Sequence, residues 1–399
     1  MNPDADVIIS GAGPSGSVAA FYLQRSGIST LILDKALFPR YKTCGAGLTH
    51  KILSILPFDI SPVIHTTIHS FRFSSDLSDI YSRTSEHPLM YCTMREELDT
   101  FLLNKAMSVG AKALTAEKVT EVVQDANGVK VKTSKGEYRS LFLIGADGAS
   151  SLVSRSFNLN RDIEFGIAWE AEVKSTDVAL RQCSDTVFLD WGTFPGGYAW
   201  AFPKKDHFSI GIGGPARMAK KMLEYYNDFI NSTGIPVVET ISNRSYPLPV
   251  RTRKATFHTG RVLITGDAAG LTDALTGEGI YWAVKSGKTA AEVIVSGMNG
   301  KFAGLASYSD RINSEIMPEI LEAKRICSLF NMMPKRIHHW VRDRERIWMA
   351  FGKVLRGERS FTDVPGALGN WQPLWKPVCM LASVIQRRKE RNYMKNGRN

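Results

Sequence analysis

The chain has 399 residues, 44% of them hydrophobic, and five scattered cysteines (Cys44, Cys92, Cys183, Cys327, Cys379). That length and apolar content exclude a disordered protein, and an odd, unclustered cysteine set excludes a disulfide framework and fits a reducing cytoplasm. The formal net charge of +11 lies almost wholly in residues 331–399, with 15 Lys and Arg against 5 Asp and Glu, 15 − 5 = +10, and no nucleic-acid motif accompanies it.

The predicted elements begin with DADVIISGAGPSGSVAAFYLQRSGISTLILDK (Asp4–Lys35). This reads as an apolar strand, a Gly11-x-Gly13-x-x-Gly16 turn, an alanine-rich helix, a second apolar strand and then Asp34. The spacing predicts a dinucleotide site. Gly11 serves the tight turn, Gly13 lets the backbone approach a pyrophosphate, Gly16 admits close helix–strand packing, and Asp34 accepts from a ribose. The first strand starts so near Met1 that no signal peptide is expected, and no apolar run is long enough to span a bilayer.

PRYKTCGAGL (Pro39–Leu48) follows, where Cys44 reads either as a small buried hydrophobe or as a ligand-facing group. His65 and His69 in HTTIH sit among β-branched residues with no third ligand near, so no metal site is expected. TMREELDTFLLNKA opens a helix at Arg95. YRSLFLIGADGASSLVSR ends a strand in Asp147, and GRVLITGDAAGLTDALTGEGIYWAV ends another in Asp267 before a helix opened by Gly277-Glu278-Gly279. Each strand-end acid alone reads equally as a turn or an N-cap. Between them, GTFPGGYAWAFPKKDHFSIGIGG puts Tyr198, Trp200 and Phe202 on one face of a strand, with Ala199 and Ala201 on the other. After Gly300 the pattern is helical, starting with the amphipathic LASYSDRINSEIMPEILEAKRICSLF.

Together these segments resemble the FAD-binding signature of the flavoprotein group that includes the aromatic hydroxylases, from Asp6 to about Ser296. The resemblance implies that Gly11, Gly13, Ser15, Gly16, Asp34, Lys35, Arg95, Val119, Asp147, Asp267, Gly277, Gly279 and Ile280 hold FAD. Asp267 would lie along the ribityl chain and pyrophosphate, and Gly277 to Ile280 at the pyrimidine ring.

Pro195-x-x-Tyr198-x-Trp200-x-Phe202-Pro203, then seven residues, then Gly211-x-Gly213, is similar to the geranylgeranyl reductase family, as is Lys42-x-Cys44-Gly45-x-Gly47. The chain departs from that family at Ala274, where proline is usual. The likeness implies reduction of isoprenoid double bonds by reduced FAD. Tyr198 and Trp200 would line an apolar tunnel. Cys44, Gly45 and Gly47 would face the flavin, with Cys44 the candidate catalytic group.

These readings give an α/β fold: a doubly wound, discontinuous Rossmann-type FAD-binding domain (1–57, 91–159 and 257–299), an antiparallel-sheet substrate domain (58–90 and 160–256), and a C-terminal helical region (300–399). An unactivated alkene calls for protonation coupled to hydride delivery, with Cys44, Tyr198 and water all open as the proton donor. No second glycine fingerprint exists for a nicotinamide cofactor, so electrons are expected from docked NAD(P)H or from reduced ferredoxin. An FAD monooxygenase of an aromatic or quinone substrate, and a non-catalytic flavin-binding membrane adaptor, are the rival readings. The basic tail, with Trp371 and Trp375, suits peripheral attachment of a cytoplasmic protein to an anionic membrane, and equally suits a solvated helical face.

Overall fold

A computed structural model describes residues 3–298 and 305–396, with the side chains of 367–371 and 396 excepted. Short runs of β-branched and leucine side chains build its central layer. Thr30–Leu33, Ala5–Ser10, Glu137–Gly145 and Val262–Ile264 lie side by side and parallel, and Lys112–Leu114 adds parallel to the outer edge of Thr30–Leu33. Val7 to Ile9, Ile32 and Leu143 to Ile144 are fully buried, as strands covered by helices on both faces must be. The hairpin Val119–Asp125 and Gly128–Thr133 and the short strand His258–Thr259 complete eight strands.

The helix Pro14–Arg25 crosses between the first two strands and packs on the helix Ile280–Met298. That contact is close enough to demand glycine, because a Cβ at Gly287 would lie 2.2 Å from the Ser15 carbonyl oxygen.

A second, seven-stranded sheet is antiparallel except for one parallel pair. Its strands run in the order Glu239–Arg251, Ile163–Lys174, Phe208–Pro215, Tyr198–Pro203, Thr186–Trp191, Ser70–Ser75 and Ser78–Thr84. Strand alternation divides its two faces. The outer face, with Ala171, Val173, Ala199, Ala201, Ile210 and Ile212, buries the helix Met222–Thr233 through Tyr225, Tyr226 and Phe229. The inner face carries Glu170, Glu172, Tyr198, Trp200, Phe202 and Ser209.

One end of the inner face is closed by the helices Pro334–Asp343 and Glu345–Arg356, whose Val341, Trp348 and Phe351 join Phe71, Phe73 and Trp191. The Cys44 loop closes the other end. Gly47–Thr49, Met90–Cys92 and Thr66–Ile68 form a small antiparallel sheet beside it.

The tail departs from the expectation of interfacial tryptophans. Trp375 is buried and its indole N–H donates to Glu322 Oε1; the Trp371 side chain lies outside the described residues. Trp375 opens the helix Trp375–Asn396, whose buried stripe of Trp375, Cys379, Ala382 and Glu390 recurs at helical spacing and faces the body of the protein. Glu390 is held there by Arg217 and Gln386. No described helix is long and apolar enough to cross a membrane.

Candidate active site

The three fingerprint glycines divide their duties sharply. Gly11 has φ +106°, and a Cβ there would lie 2.3 Å from the Ala146 carbonyl oxygen. At Gly16 a Cβ would lie 1.9 Å from Gly11 O, so both positions are fixed by packing. Gly13 is different. A Cβ there would meet only Arg40, at 3.8 Å, which leaves the loop open where a ligand approaches the N-terminus of the helix Pro14–Arg25.

Asp34 braces this loop, accepting from the Ala12 N–H at 2.7 Å and from the Ala36 N–H at 2.8 Å. Ser15 is buried, with its hydroxyl packed by Gly266. Lys35 is exposed, and Val119 is buried at the start of its strand. The Asp147 carboxylate serves a helix start, accepting from Leu152 N at 2.7 Å, from Val153 N at 3.1 Å and from the Ser151 hydroxyl.

At the other end, cations crowd the segment 40–44. Arg95 is buried and forms a bidentate pair with Asp99 (2.8 and 2.7 Å), which also receives Arg40 at 2.9 Å. Against its burial, Asp99 first and then the nearby Cys44 raise the Arg95 guanidinium above its usual value. Lys42 Nζ lies 3.7 Å from the centre of the Tyr246 ring and 3.8 Å from Asp267 Oδ2. Burial, and next Arg95, hold the Lys42 amine below its usual range, against the pull of Asp267. Among the described residues, the three cations Arg40, Lys42 and Arg95 are paired with just two carboxylates, Asp99 and Asp267, an arrangement that an anion would relieve.

Asp267 leads the turn Gly266–Ala269, and Gly279 O accepts from Ala283 N at 2.8 Å to start the helix Ile280–Met298. Ile280 is buried. Glu278 turns away to Lys51, 2.6 Å distant, and to Thr49.

The inner sheet face meets these cofactor-side segments directly. Trp200 lies opposite Gly211 in register, and a Cβ at Gly211 would fall 2.4 Å from the indole. The glycine pair is therefore the flat bed on which the indole rests. Phe202 packs on the Cys44 loop, 2.7 Å from where a Cβ of Gly45 would be. Tyr198 donates its hydroxyl to Thr276 O, beside Gly277, and burial pushes its phenol well above the usual range, with Asp273 adding to the rise. The ring centroids of Tyr198 and Trp200 are 5.5 Å apart.

Cys44 donates its backbone N–H to Glu170 Oε1 at 3.0 Å, and its sulfur accepts from Ala46 N at 3.4 Å. Among the described residues, Glu170 Oε2 and Trp200 Nε1 are buried polar atoms without a hydrogen bond. The open Gly13, the crowded cations and these two polar atoms fit a group with a pyrophosphate and a polar ring system, as FAD has.

Sequence reasoning missed Glu170, Tyr246 and Lys204. Of these only Glu170 left a signal, in AWEAEVK, where two acids occupy alternate positions of a strand with alanine between them. Lys204 is buried and donates to Gly45 O at 2.6 Å and Thr93 O at 2.8 Å, tying the sheet to the Cys44 loop.

Residues 4–314 match the family described as FAD binding domain. An uncharacterized protein of Methanosarcina barkeri is 36% identical over 315 residues, 78% of this chain and 80% of that one. The chloroplastic geranylgeranyl diphosphate reductase of Nicotiana tabacum is 30% identical over 73% of this chain and 66% of its own length. The menaquinone reductase of Mycolicibacterium smegmatis is 30% identical over 77% of this chain and 79% of its own. Among solved structures, a geranylgeranyl bacteriochlorophyll reductase-like protein of Thermoplasma acidophilum superposes with a TM-score of 0.72 at 23% identity, covering 82% of this chain and 88% of that one. A halogenase in complex with phloroglucinol and FAD superposes with a TM-score of 0.70 at 17% identity over 96% and 92% of the two chains, a likeness of fold.

Proposed function

The chain belongs to the FAD-binding flavoprotein family that includes the geranylgeranyl reductases, and from that premise we propose that it saturates carbon–carbon double bonds of a geranylgeranyl or other polyprenyl chain. One observation carries this reading. A single strand presses Trp200 and Phe202 against the Cys44 loop and anchors Tyr198 to the Thr276 carbonyl, so an aromatic hydrocarbon-binding face abuts the FAD-binding elements.

Hydride addition alone to an unactivated alkene would build a carbanion with nothing to delocalise it, so a proton must be added as well. Bound FAD, when reduced, supplies the hydride equivalent. The protein's own residues bind, dry and orient. Gly13, Lys42, Arg95 and Asp267 would hold the cofactor's polar span. Trp200 and Phe202 exclude water that would trap cationic character, and Tyr198 keeps the loop before Ile280 in place. The Tyr198 hydroxyl is committed and its phenol is weakened as an acid by burial, which favours Cys44 or water as the final proton donor. We assign re-reduction to NAD(P)H or reduced ferredoxin docking transiently.

The relatives named above act on a geranylgeranyl diphosphate and on a menaquinone, so the diphosphate, a diether lipid, a chlorophyll ester and a polyprenyl quinone bearing such a chain are all substrates to offer. The test is anaerobic incubation of the dithionite-reduced protein with these lipids, followed by mass measurement of the product. Gain of hydrogen pairs is expected. Oxygen incorporation in air instead would mark a monooxygenase, and a flavin never reoxidised by any lipid would mark an adaptor.

Such a substrate resides in a bilayer, and we propose that the helix Trp375–Asn396 brings the protein to it. Met380, Leu381 and Val384 are exposed, and Arg387, Arg388, Arg391 and Lys395 continue the same outward side toward the C-terminus. An apolar stretch followed by a basic one suits an anionic lipid surface.

A further inference from the structure

The inner face holds a run of buried ionisable groups that the reaction as argued so far leaves unused. Asp206 stands at the surface, with its Oδ1 2.7 Å from His207 Nδ1. His207 Nε2 lies 3.0 Å from Glu172 Oε2. The Ser209 hydroxyl, on the strand opposite Glu172 and two residues before Gly211, which stands opposite Glu170, donates to Glu172 Oε1 at 3.4 Å. Glu170 in turn accepts from the Cys44 N–H, while its Oε2 makes no hydrogen bond of its own. His207, Glu172, Ser209 and Glu170 are all buried. The groups run from solvent to the loop beneath the aromatic face, hydrogen-bonded as far as Ser209. Glu170, two residues from Glu172 on the same strand face, completes the run, so that one hydroxyl or carboxyl rotation closes the last step.

We propose that Asp206, His207, Glu172, Ser209 and Glu170 conduct protons from solvent to the Cys44 loop, with Glu170 as the buried store. The inference rests on the alkene reduction proposed above. That reaction adds one hydride and one proton across each double bond: the electron pair arrives with the hydride of reduced FAD, and the proton comes from bulk water. A site dry enough to protect cationic character has no free exchange with bulk solvent, so a fixed route has to recharge the final donor, whether that is Cys44 or a single held water.

Two carboxylates two residues apart on one buried strand face are costly unless one carries a proton. The nearby cation offsets them only in part: the Lys204 charge favours the ionised carboxylates, but its hydrogen bonds go to Gly45 O and Thr93 O and to neither carboxylate. Burial first, and then Glu172, push the Glu170 carboxyl up to about 7, against Lys204 and the Cys44 N–H. Burial alone would lower His207, but its hydrogen bonds to Glu172 and Asp206 outweigh that and raise it. The other ionisable groups around the pair are Tyr41 beside Cys44 and Arg244, opposite Glu170 on the edge strand, with Tyr226 acting from behind the sheet on the outer-face helix Met222–Thr233.

The test uses the FAD-loaded full chain and the variants Glu170→Gln, His207→Gln and Ser209→Ala. In substrate-free protein the infrared carbonyl band of a protonated carboxyl, assigned to Glu170 by its loss in Glu170→Gln, is followed on mixing into D2O. Exchange of that proton should slow at least about tenfold in His207→Gln and in Ser209→Ala, which keeps both carboxylates. Unchanged exchange, or no such band in the wild type, overturns the relay. With prenyl lipid under anaerobic dithionite, the wild-type rate should fall as pH rises through about 7. Glu170→Gln should lose that limb and at least about tenfold in rate at equal FAD content, and an unchanged profile also overturns the relay. A wild type that reduces no prenyl lipid defeats the functional reading, while the exchange measurement still decides the relay.

Discussion

At the scale of single residues, a Cβ at Gly16 would lie 1.9 Å from Gly11 O, whereas one at Gly13 would meet only Arg40 at 3.8 Å. Gly13→Val is therefore expected to leave the melting temperature of the flavin-free protein unchanged and to abolish copurified FAD, read from visible absorbance. Gly16→Ala should instead cost about 1–3 kcal/mol of stability through overpacking. A similar contrast holds behind the indole. Gly211→Ala would put a Cβ 2.4 Å from Trp200 and displace it, while Gly213→Ala, at 3.3 Å, asks for a shift of a few tenths of an ångström. Turnover of long prenyl lipids should collapse in the first and change by only a few-fold in the second, with FAD content retained in both. Glu170 adds a pH signature. Its folded-state value is raised, so between the ordinary carboxyl value and about 7 the native state holds a proton that the unfolded chain has released. Stability should fall with rising pH across that window, and Glu170→Gln should flatten the slope in thermal melts.

At the scale of elements, the helix Trp375–Asn396 shows how a surface is divided. Composition alone left its tryptophan and its whole basic run to a membrane face or to a solvated one. The spacing of Trp375, Cys379, Ala382 and Glu390 instead turns Trp375 inward, and Glu390 pairs with Arg217. Deleting residues 387–399 would remove that fastening together with the charge, so substitutions are the cleaner test. Arg388→Ser with Arg391→Ser should weaken sedimentation with anionic liposomes at low salt, each basic residue being worth about 1 kcal/mol. Leu381→Ser with Val384→Ser should weaken binding at all salt concentrations. Wild-type binding should decline as salt rises, because the attraction is screened beyond roughly 10 Å at 0.1 M. Equal binding by all forms would show that this face is merely solvated.

At the scale of the molecule, the FAD-binding unit was legible because its signals are local: a strand, three glycines and a helix within Asp4–Lys35. The aromatic strand was half legible. Period two put three rings on one face, but only the register Trp200 opposite Gly211 explains the paired glycines downstream. The run from Asp206 to Glu170 was not legible, since it needs the pairing of Ile163–Lys174 with Phe208–Pro215 and the arrival of the Cys44 loop from more than a hundred residues away in sequence. The buried partners of Lys204 were hidden for the same reason, both being backbone carbonyls of distant loops.

The parallel sheet takes its strands from 5–33, 112–145 and 258–264, and the second sheet takes its own from 70–84 and 163–251, so the two are interleaved along the chain. The strand Val262–Ile264 and the Asp267 turn emerge only after every strand of the second sheet. Neither layer can therefore mature as an autonomous unit, and contacts so distant in sequence make for slow, late-closing folding. Thermal unfolding should show both sheets melting in one transition, whose midpoint climbs with added FAD as mass action requires; two resolved transitions, with only one responsive to FAD, would contradict this. During synthesis, cofactor capture then acts as a checkpoint: a chain able to retain its flavin has already assembled the surface on which that flavin is to be used.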